Sequence, residues 1–206
     1  LKNKITIIDL LNHTKFKREE KVTEITRTLD IIFPRLEGDK VTFIGSTFWK
    51  YGEQNTYLNH CIVLGESSPI ENVVLENVST EKKVLLEWTK LIQKENPDII
   101  IGYNTFGFDY MFMFNRAKEL EILRNFLKLS KNKNEICGKF NKKLGDYTLN
   151  ESTLKIASGT HELKFIKMTG RINIDLYNYF RREYNLDSYK LDNVASNFIG
   201  DVIKNY

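Results

Sequence analysis

Pro97-Asp98-Ile99-Ile100-Ile101-Gly102-Tyr103-Asn104-Thr105-Phe106-Gly107-Phe108-Asp109-Tyr110 reads as a strand, a tight connection and the first turn of a helix. Ile99, Ile100 and Ile101 form a short continuous apolar run, the pattern of a strand buried within a parallel sheet. The connection from Gly102 to Gly107 places Asn104 at the C-terminal edge of that sheet. Phe108 then returns to the core. Asp109 falls in the first turn of a helix that runs to about Glu121 and buries Met111, Phe112, Ala117 and Leu120. Open α/β sheets bind ligands at this edge. A carboxylate there gains from the positive end of the helix dipole, and the apolar neighbours Phe106, Phe108 and Met111 limit water and strengthen local electrostatics. The same position also attracts Asp for dipole reasons alone, so the segment by itself leaves a purely structural Asp109 open.

Working upstream, Thr80 caps a helix that opens with Glu81. Its apolar face is Val84, Leu85, Trp88, Leu91 and Ile92, and Asn96-Pro97 ends it. Before it, Val41 to Trp49 is rich in β-branched and aromatic residues and reads as a strand. Leu58 to Leu64 is its partner across a turn near Gly52-Glu53-Gln54-Asn55, and Val73 to Val78 is a third strand, together an antiparallel meander. Residues 1–35 read as a lead-in helical segment with Ile25, Leu29 and Ile32 on one face and Pro34 as its stop.

Downstream, Lys128 to Lys143 holds six lysines and one glutamate and reads as an exposed arm, either solvated or touching a phosphate backbone. Short strands follow around Gly145, Gly159 and Gly170. Arg171 to Leu176 is a strand entering a helix over Tyr177 to Glu183, and Tyr189 to Ile199 is a last helix with Leu191, Val194 and Phe198 on one face. The order describes an α/β domain with a mixed sheet and flanking helices. Residues 36–206 form this domain.

The 206 residues are 41% hydrophobic and 28% charged, ordinary for a globular chain, with a net charge of +4. That mild basicity suits a nucleic-acid partner and a plain solvated surface equally. No run approaches the ~18 apolar residues of a membrane span. Cys61 and Cys137 stand alone and His13, His60 and His161 are scattered, which argues against a disulfide framework or a zinc site.

IIGYNTFGFDY resembles the second exonuclease motif of family B DNA polymerases, an Asn followed a few residues later by Phe/Tyr-Asp. The flanks resemble the family in the same order: Gly38 to Gly45, the helix with Glu81, Leu85 and Trp88, Gly170 to Leu176, Arg181 to Leu186, and Ser188 to Ala195. The similarity covers about residues 36–201 and is nearest to the delta-like polymerases of eukaryotes and large DNA viruses. It implies a ribonuclease H-like fold, to which the element order alone also admits other α/β alternatives.

The resemblance implies a 3′→5′ proofreading exonuclease working on DNA, at the single-stranded 3′ end of a primer-template. It implies Mg²⁺, with Mn²⁺ as the alternative, as cofactor. It implies the remaining polymerase domains as partners, no membrane, and a place wherever DNA is replicated, in the nucleus or a viral replication compartment. By the same resemblance Asp109 is a catalytic residue and a metal ligand, and Asn104 helps to hold the 3′-terminal nucleotide. Tyr103 and Phe106 either stack on an unpaired base or pack at the strand end, and Phe108 supports Asp109 from the core. Arg181 and Arg182 line a polar helix face or meet DNA.

The sequence departs from the family pattern in two places. The first motif, Asp-x-Glu, and the third, Tyr-x-x-x-Asp, do not occur in the 206 residues. The resemblance therefore implies that the first strand and the last catalytic helix lie outside this piece, and that the piece alone is inactive. Asp175 and Asp192 match lead-in positions rather than motif carboxylates. The alternative is a non-catalytic ribonuclease H-like module that binds DNA or scaffolds a polymerase.

Overall fold

The computed structural model describes residues 6–33, 37–143, 145–156 and 159–200, in two compact units, residues 1–39 and 40–206. The first unit holds α1 (Ile7–Asn12) and α2 (Arg18–Ile32). Thr6 and Asp9 form a capping box on α1, each side chain accepting from the other's backbone N–H, at 3.1 and 2.9 Å. The helical reading of this segment holds, but neither helix has a buried residue. Ile25 and Leu29 are half-buried and Ile32 is exposed. Pro34 lies outside the described residues.

The second unit begins with β1 (Phe43–Phe48) and β2 (Leu58–Leu64), an antiparallel pair running from Phe43↔Val63 to Phe48↔Leu58. β3 (Val74–Val78) then pairs with β2 in parallel, His60 opposite Val74 and Leu64 opposite Val78. This corrects the expected antiparallel meander. Residues 65–73 are not a hairpin turn but a return path that ends in a turn, Val73 N–H donating to Ile70 O at 3.2 Å, and brings the chain back to the level of His60. Thr80 caps α3 (Glu81–Glu95) by accepting from Lys83 N–H at 3.4 Å. The predicted face, Val84, Leu85, Trp88, Leu91 and Ile92, is buried in full. Asn96 ends the helix in the left-handed region, φ 48°.

β4 (Ile99–Gly102), α4 (Asp109–Glu119) and α5 (Leu123–Phe126) follow. α4 buries Tyr110, Met113, Phe114, Arg116 and Ala117, whereas Met111, Phe112 and Leu120 are half-buried. The most deeply buried positions are thus shifted from the expected ones: Tyr110, Met113 and Phe114 join the expected Ala117 in the core, while Phe112 and Leu120 pack against its side. Lys128 to Lys143 is not an exposed arm. Leu129, Ser130 and Cys137 are buried in it, and β5 (Lys139–Asn141) pairs with β6 (Asp146–Thr148). Buried residues at 129, 130 and 137 interrupt the lysines, which a count of charges alone does not reveal.

β7 (Asn150–Ile156) and β8 (Gly159–Phe165) form an antiparallel hairpin. β9 (Ile172–Asp175) runs parallel to β4, with Ile99 opposite Ile172 and Gly102 opposite Asp175. α6 (Leu176–Glu183) and α7 (Leu191–Phe198) complete the described chain. In α7 Val194 and Ala195 are buried, but Leu191 and Phe198 are exposed. The α/β class and the parallel β4 are as expected. Among the described residues, however, β1-β2-β3 and β4-β9 are separate small sheets rather than one mixed sheet. The expected two-sided burial of β4 is corrected too: Ile99 and Ile101 are exposed. No described helix is long and apolar enough to cross a membrane.

Candidate functional site

The parallel register of β4 and β9 brings their C-terminal ends to one edge, and both chains turn into helices there. The turn after β4 depends on Asn104, which adopts φ 60°. Asn tolerates that left-handed conformation better than most residues. Its carbonyl accepts from Gly107 and Phe108 N–H at 3.1 and 3.0 Å, closing the loop. A Cβ at Gly107 would lie 2.3 Å from Asn104 Oδ1, so any larger residue there would push the Asn104 side chain aside. The Asn104 side chain therefore lies across the glycine, between strand and helix.

Asp109 opens α4 and is exposed at this edge. Desolvation in its recess raises its carboxyl above the usual Asp value, and the charge of Asp175 adds to the rise, against a smaller lowering by its own N–H. The direction is opposite to the one the helix dipole alone favours. A raised carboxyl binds its proton more tightly in the folded state. The stability it contributes is present below the ordinary Asp value and lost as pH rises through the interval up to the raised one. At neutral pH the ionised Asp109 is a net cost, so Asp109→Asn is expected to raise the thermal midpoint, read by calorimetry at pH 7. A lowered midpoint would contradict this electrostatic assignment.

The aromatic residues divide. Tyr103 is half-buried; its hydroxyl donates to Tyr189 O, and its ring meets Tyr177 edge-on at 5.6 Å. Phe106 packs against Phe165 at 5.2 Å and Tyr110 at 6.1 Å, so packing describes it better than an open stacking platform. Phe108 does not return to the core. It is 54% exposed with its ring stacked on Phe112 at 5.4 Å, because as the N-cap of α4 it stands on the outer side of the turn.

Asp175 is the feature the sequence undervalued. Its Oδ1 accepts from the N–H of Asn104 at 2.8 Å and of Tyr177 at 3.0 Å. Its Oδ2 accepts from Phe106 N–H at 3.0 Å and Asn178 Nδ2 at 2.9 Å. Tyr110 is tied to the neighbouring strand through its hydroxyl, which donates to Asn173 Oδ1 at 2.8 Å. Burial pushes that phenol well above its usual range, and the charges of Asp109 and Asp175 push the same way. Asp175 is also the N-cap of α6, which begins at Leu176, one residue earlier than the helix expected from Tyr177. The register that sets Asp175 beside Gly102 was not legible in the sequence.

Tyr103, Asn104, Phe106, Asp109 and Asp175 thus meet at one edge. They do not by themselves make a divalent-cation site. Among the described residues no three His, Cys, Asp or Glu side chains converge, and both oxygens of Asp175 are already engaged. Asp109 fits as one carboxylate ligand of a site that needs others.

A family model described as DNA polymerase family B, exonuclease domain, matches residues 15–194. The chain is 42% identical to a DNA polymerase of Phaeocystis pouchetii virus over 96% of its own length and 20% of the relative's. It is 37% identical to a DNA polymerase of Pyramimonas orientalis virus, over 98% and 17%. It is 33% identical to the DNA polymerase delta catalytic subunit of Candida albicans, over 82% and 15%. The chain therefore spans a fifth or less of the length of these curated relatives. With the Asn104–Asp109 geometry and a match over most of its residues, the chain belongs to DNA polymerase family B, in the family's exonuclease domain.

Proposed function

We propose that this chain is part of the 3′→5′ proofreading exonuclease of a family B DNA polymerase, which removes mispaired 3′-terminal nucleotides. The observation that carries the reading is Asp109 and Asn104 held at the C-terminal edge of β4 within the region that matches the family's exonuclease domain. Asp109 serves as a catalytic residue and as a ligand to Mg²⁺ or Mn²⁺. Such ions, when bound, activate water and stabilise the leaving oxygen. Asn104 holds the terminal nucleotide by its side-chain amide. Tyr103, half-buried beside Asn104, stacks on an unpaired base in this reading. The partners are single-stranded 3′ ends, the primer-template and the other polymerase domains, and the work is done where DNA is replicated.

The ribonuclease H-like fold is part of the same reading. Residues 36–206 are a portion of the exonuclease domain and 1–35 a lead-in. A cleft of about 360 Å³ runs between β1 and β4, lined by successive residues of both strands, from Ile44 to Phe48 and from Ile99 to Gly102. Trp88, Ile92 and Met113 of the two helices also line it, with Asp109 beside them. Neither strand pairs on that side among the described residues. One further strand laid there would join the two small sheets into a single mixed sheet and cover Ile99 and Ile101. A strand bearing the family's Asp-x-Glu would bring more carboxylates to Asp109, and a helix with Tyr-x-x-x-Asp would add the last.

The test is excision from a mispaired primer end without nucleotides, by the polymerase that contains this domain. Excision is expected with Mg²⁺, to stop on chelation and to return with Mg²⁺ or Mn²⁺. The isolated 206-residue chain is expected to excise at under about one hundredth of that rate, since one carboxylate does not hold a divalent pair. Excision that ignores chelation would sink the reading.

A further inference from the structure

Asp175 is 5% exposed and closes β9, a strand remote in sequence from Asn104 and Asp109. Its four hydrogen bonds divide evenly. Two come from its own helix, Tyr177 N–H and Asn178 Nδ2, and two from the loop after β4, the N–H groups of Asn104 and Phe106. A buried carboxylate is costly unless each lone pair is met, and here four donors meet both oxygens. The N-terminal end of α6 adds favourable charge. Alternate amides of a loop gathered on one anion form the arrangement that elsewhere captures phosphate. In this chain the anion is built in.

The loop is also closed by the Asn104 carbonyl and tied to β8 through Lys164 N–H donating to Phe106 O at 3.1 Å, but the acceptor for the N–H groups of Asn104 and Phe106 is Asp175. Asn104 sits in the left-handed region, and the helix that carries Asp109 begins only where the loop ends. Remove the anion, and two part-buried amides lose their acceptor. The loop then has reason to turn them toward water, carrying Asn104 and the start of α4 with them.

We propose that Asp175 is a positioning residue of the nuclease site: its carboxylate clamps the loop of residues 103–108 from across the sheet edge, setting Asn104 and Asp109 in their working places without itself touching substrate. This rests on the nuclease reading given above.

Asp175→Ser separates the two halves of the clamp. Serine caps α6 well but is too short to reach Asn104 and Phe106. Asp175→Asn keeps the size and removes acceptor capacity on one oxygen. Both are made in the polymerase that contains this domain, with excision rates normalised to primer extension by the same preparation and with Asp109→Ala alongside. In Asp175→Ser, kcat for excision is expected to fall about a hundredfold, the scale on which lost supporting contacts act at metal sites. Amide hydrogen exchange over residues 103–108 should accelerate at least tenfold while that over 176–183 stays within twofold. Asp175→Asn should fall between. If Asp109→Ala abolishes excision while both Asp175 variants keep kcat and exchange within twofold of wild type, the clamp is overturned and the nuclease reading stands. If exchange accelerates equally over 176–183, Asp175 is only a helix cap and the proposal fails. If Asp109→Ala leaves excision intact, the nuclease reading falls and takes the clamp's function with it.

Discussion

Glu81→Ala should destabilise the chain by about 3–5 kcal/mol, the cost of breaking a buried ion pair by deleting one partner. Glu81, 6% exposed, opens α3, and Arg116, 2% exposed, lies near the end of α4. One carboxylate oxygen accepts Arg116 Nε–H at 2.8 Å and Val41 N–H at 2.9 Å, and the other accepts Nη2–H at 2.5 Å. Arg116 also donates to Glu119. The pair therefore ties three elements together: the chain entering β1, the first turn of α3 and the last turn of α4. Truncation leaves a guanidinium in the core with its main counter-charge gone. At about 2–4 °C per kcal/mol for a chain of this size, the thermal midpoint should drop by roughly 10 °C. Replacing both residues with methionine should cost much less, because the desolvation penalty disappears with the charges. Urea titrations of wild type, Glu81→Met, Arg116→Met and the double methionine variant close the cycle. A single-variant loss below about 1 kcal/mol, the level of an exposed pair, would contradict the assignment.

The same pair has a pH signature. Burial pushes the Glu81 carboxyl up, but the hydrogen bonds from Arg116 and Val41 and the charges of Arg116 and Lys40 outweigh it and leave it below the usual Glu value. A lowered carboxyl contributes stability that is present above the ordinary Glu value and lost as pH falls through the interval down to the lowered one. Wild type should therefore lose stability on the acid side of the ordinary Glu range faster than the methionine double variant.

This pair also marks where the sequence stops being legible. Glu81 reads as a helix-opening acid and Arg116 as a helix-ending base, both sound by the dipole rule. That they find each other inside the protein depends on how α3 and α4 cross, which periodicity does not encode. The face of α3 was plain because five apolar residues recur at helical spacing around Trp88. The face of α4 was not, because Tyr110, Met111, Phe112, Met113 and Phe114 are all apolar or aromatic and fix no phase. The direction of β3 was lost because a connection as short as residues 65–73 ordinarily joins antiparallel strands, whereas here it returns to start beside His60. At the site, Asn104 and Asp109 were legible because the motif is local. Phe108 was misplaced because an aromatic at a helix N-cap can face either way. Asp175 was undervalued because its partners lie some seventy residues away in sequence, joined only by the β4–β9 register.

The nuclease reading carries the second large effect. Removing a carboxylate that helps to hold the reaction's cations takes away several kcal/mol of transition-state stabilisation, and ~4 kcal/mol corresponds to about a thousandfold in rate. Asp109→Ala should show that loss without a loss of fold. The carboxylate is at the surface edge of α4, its ionised form is disfavoured there, and none of the described side chains forms an ion pair with it. The decisive measurement is release of a 3′-labelled, mispaired terminal nucleotide by the polymerase that contains this domain, with Mg²⁺ and no nucleotides, for wild type and Asp109→Ala. A drop of about a thousandfold in excision, in a preparation that still extends a matched primer, is the predicted result. Excision by Asp109→Ala at the wild-type rate would contradict the account.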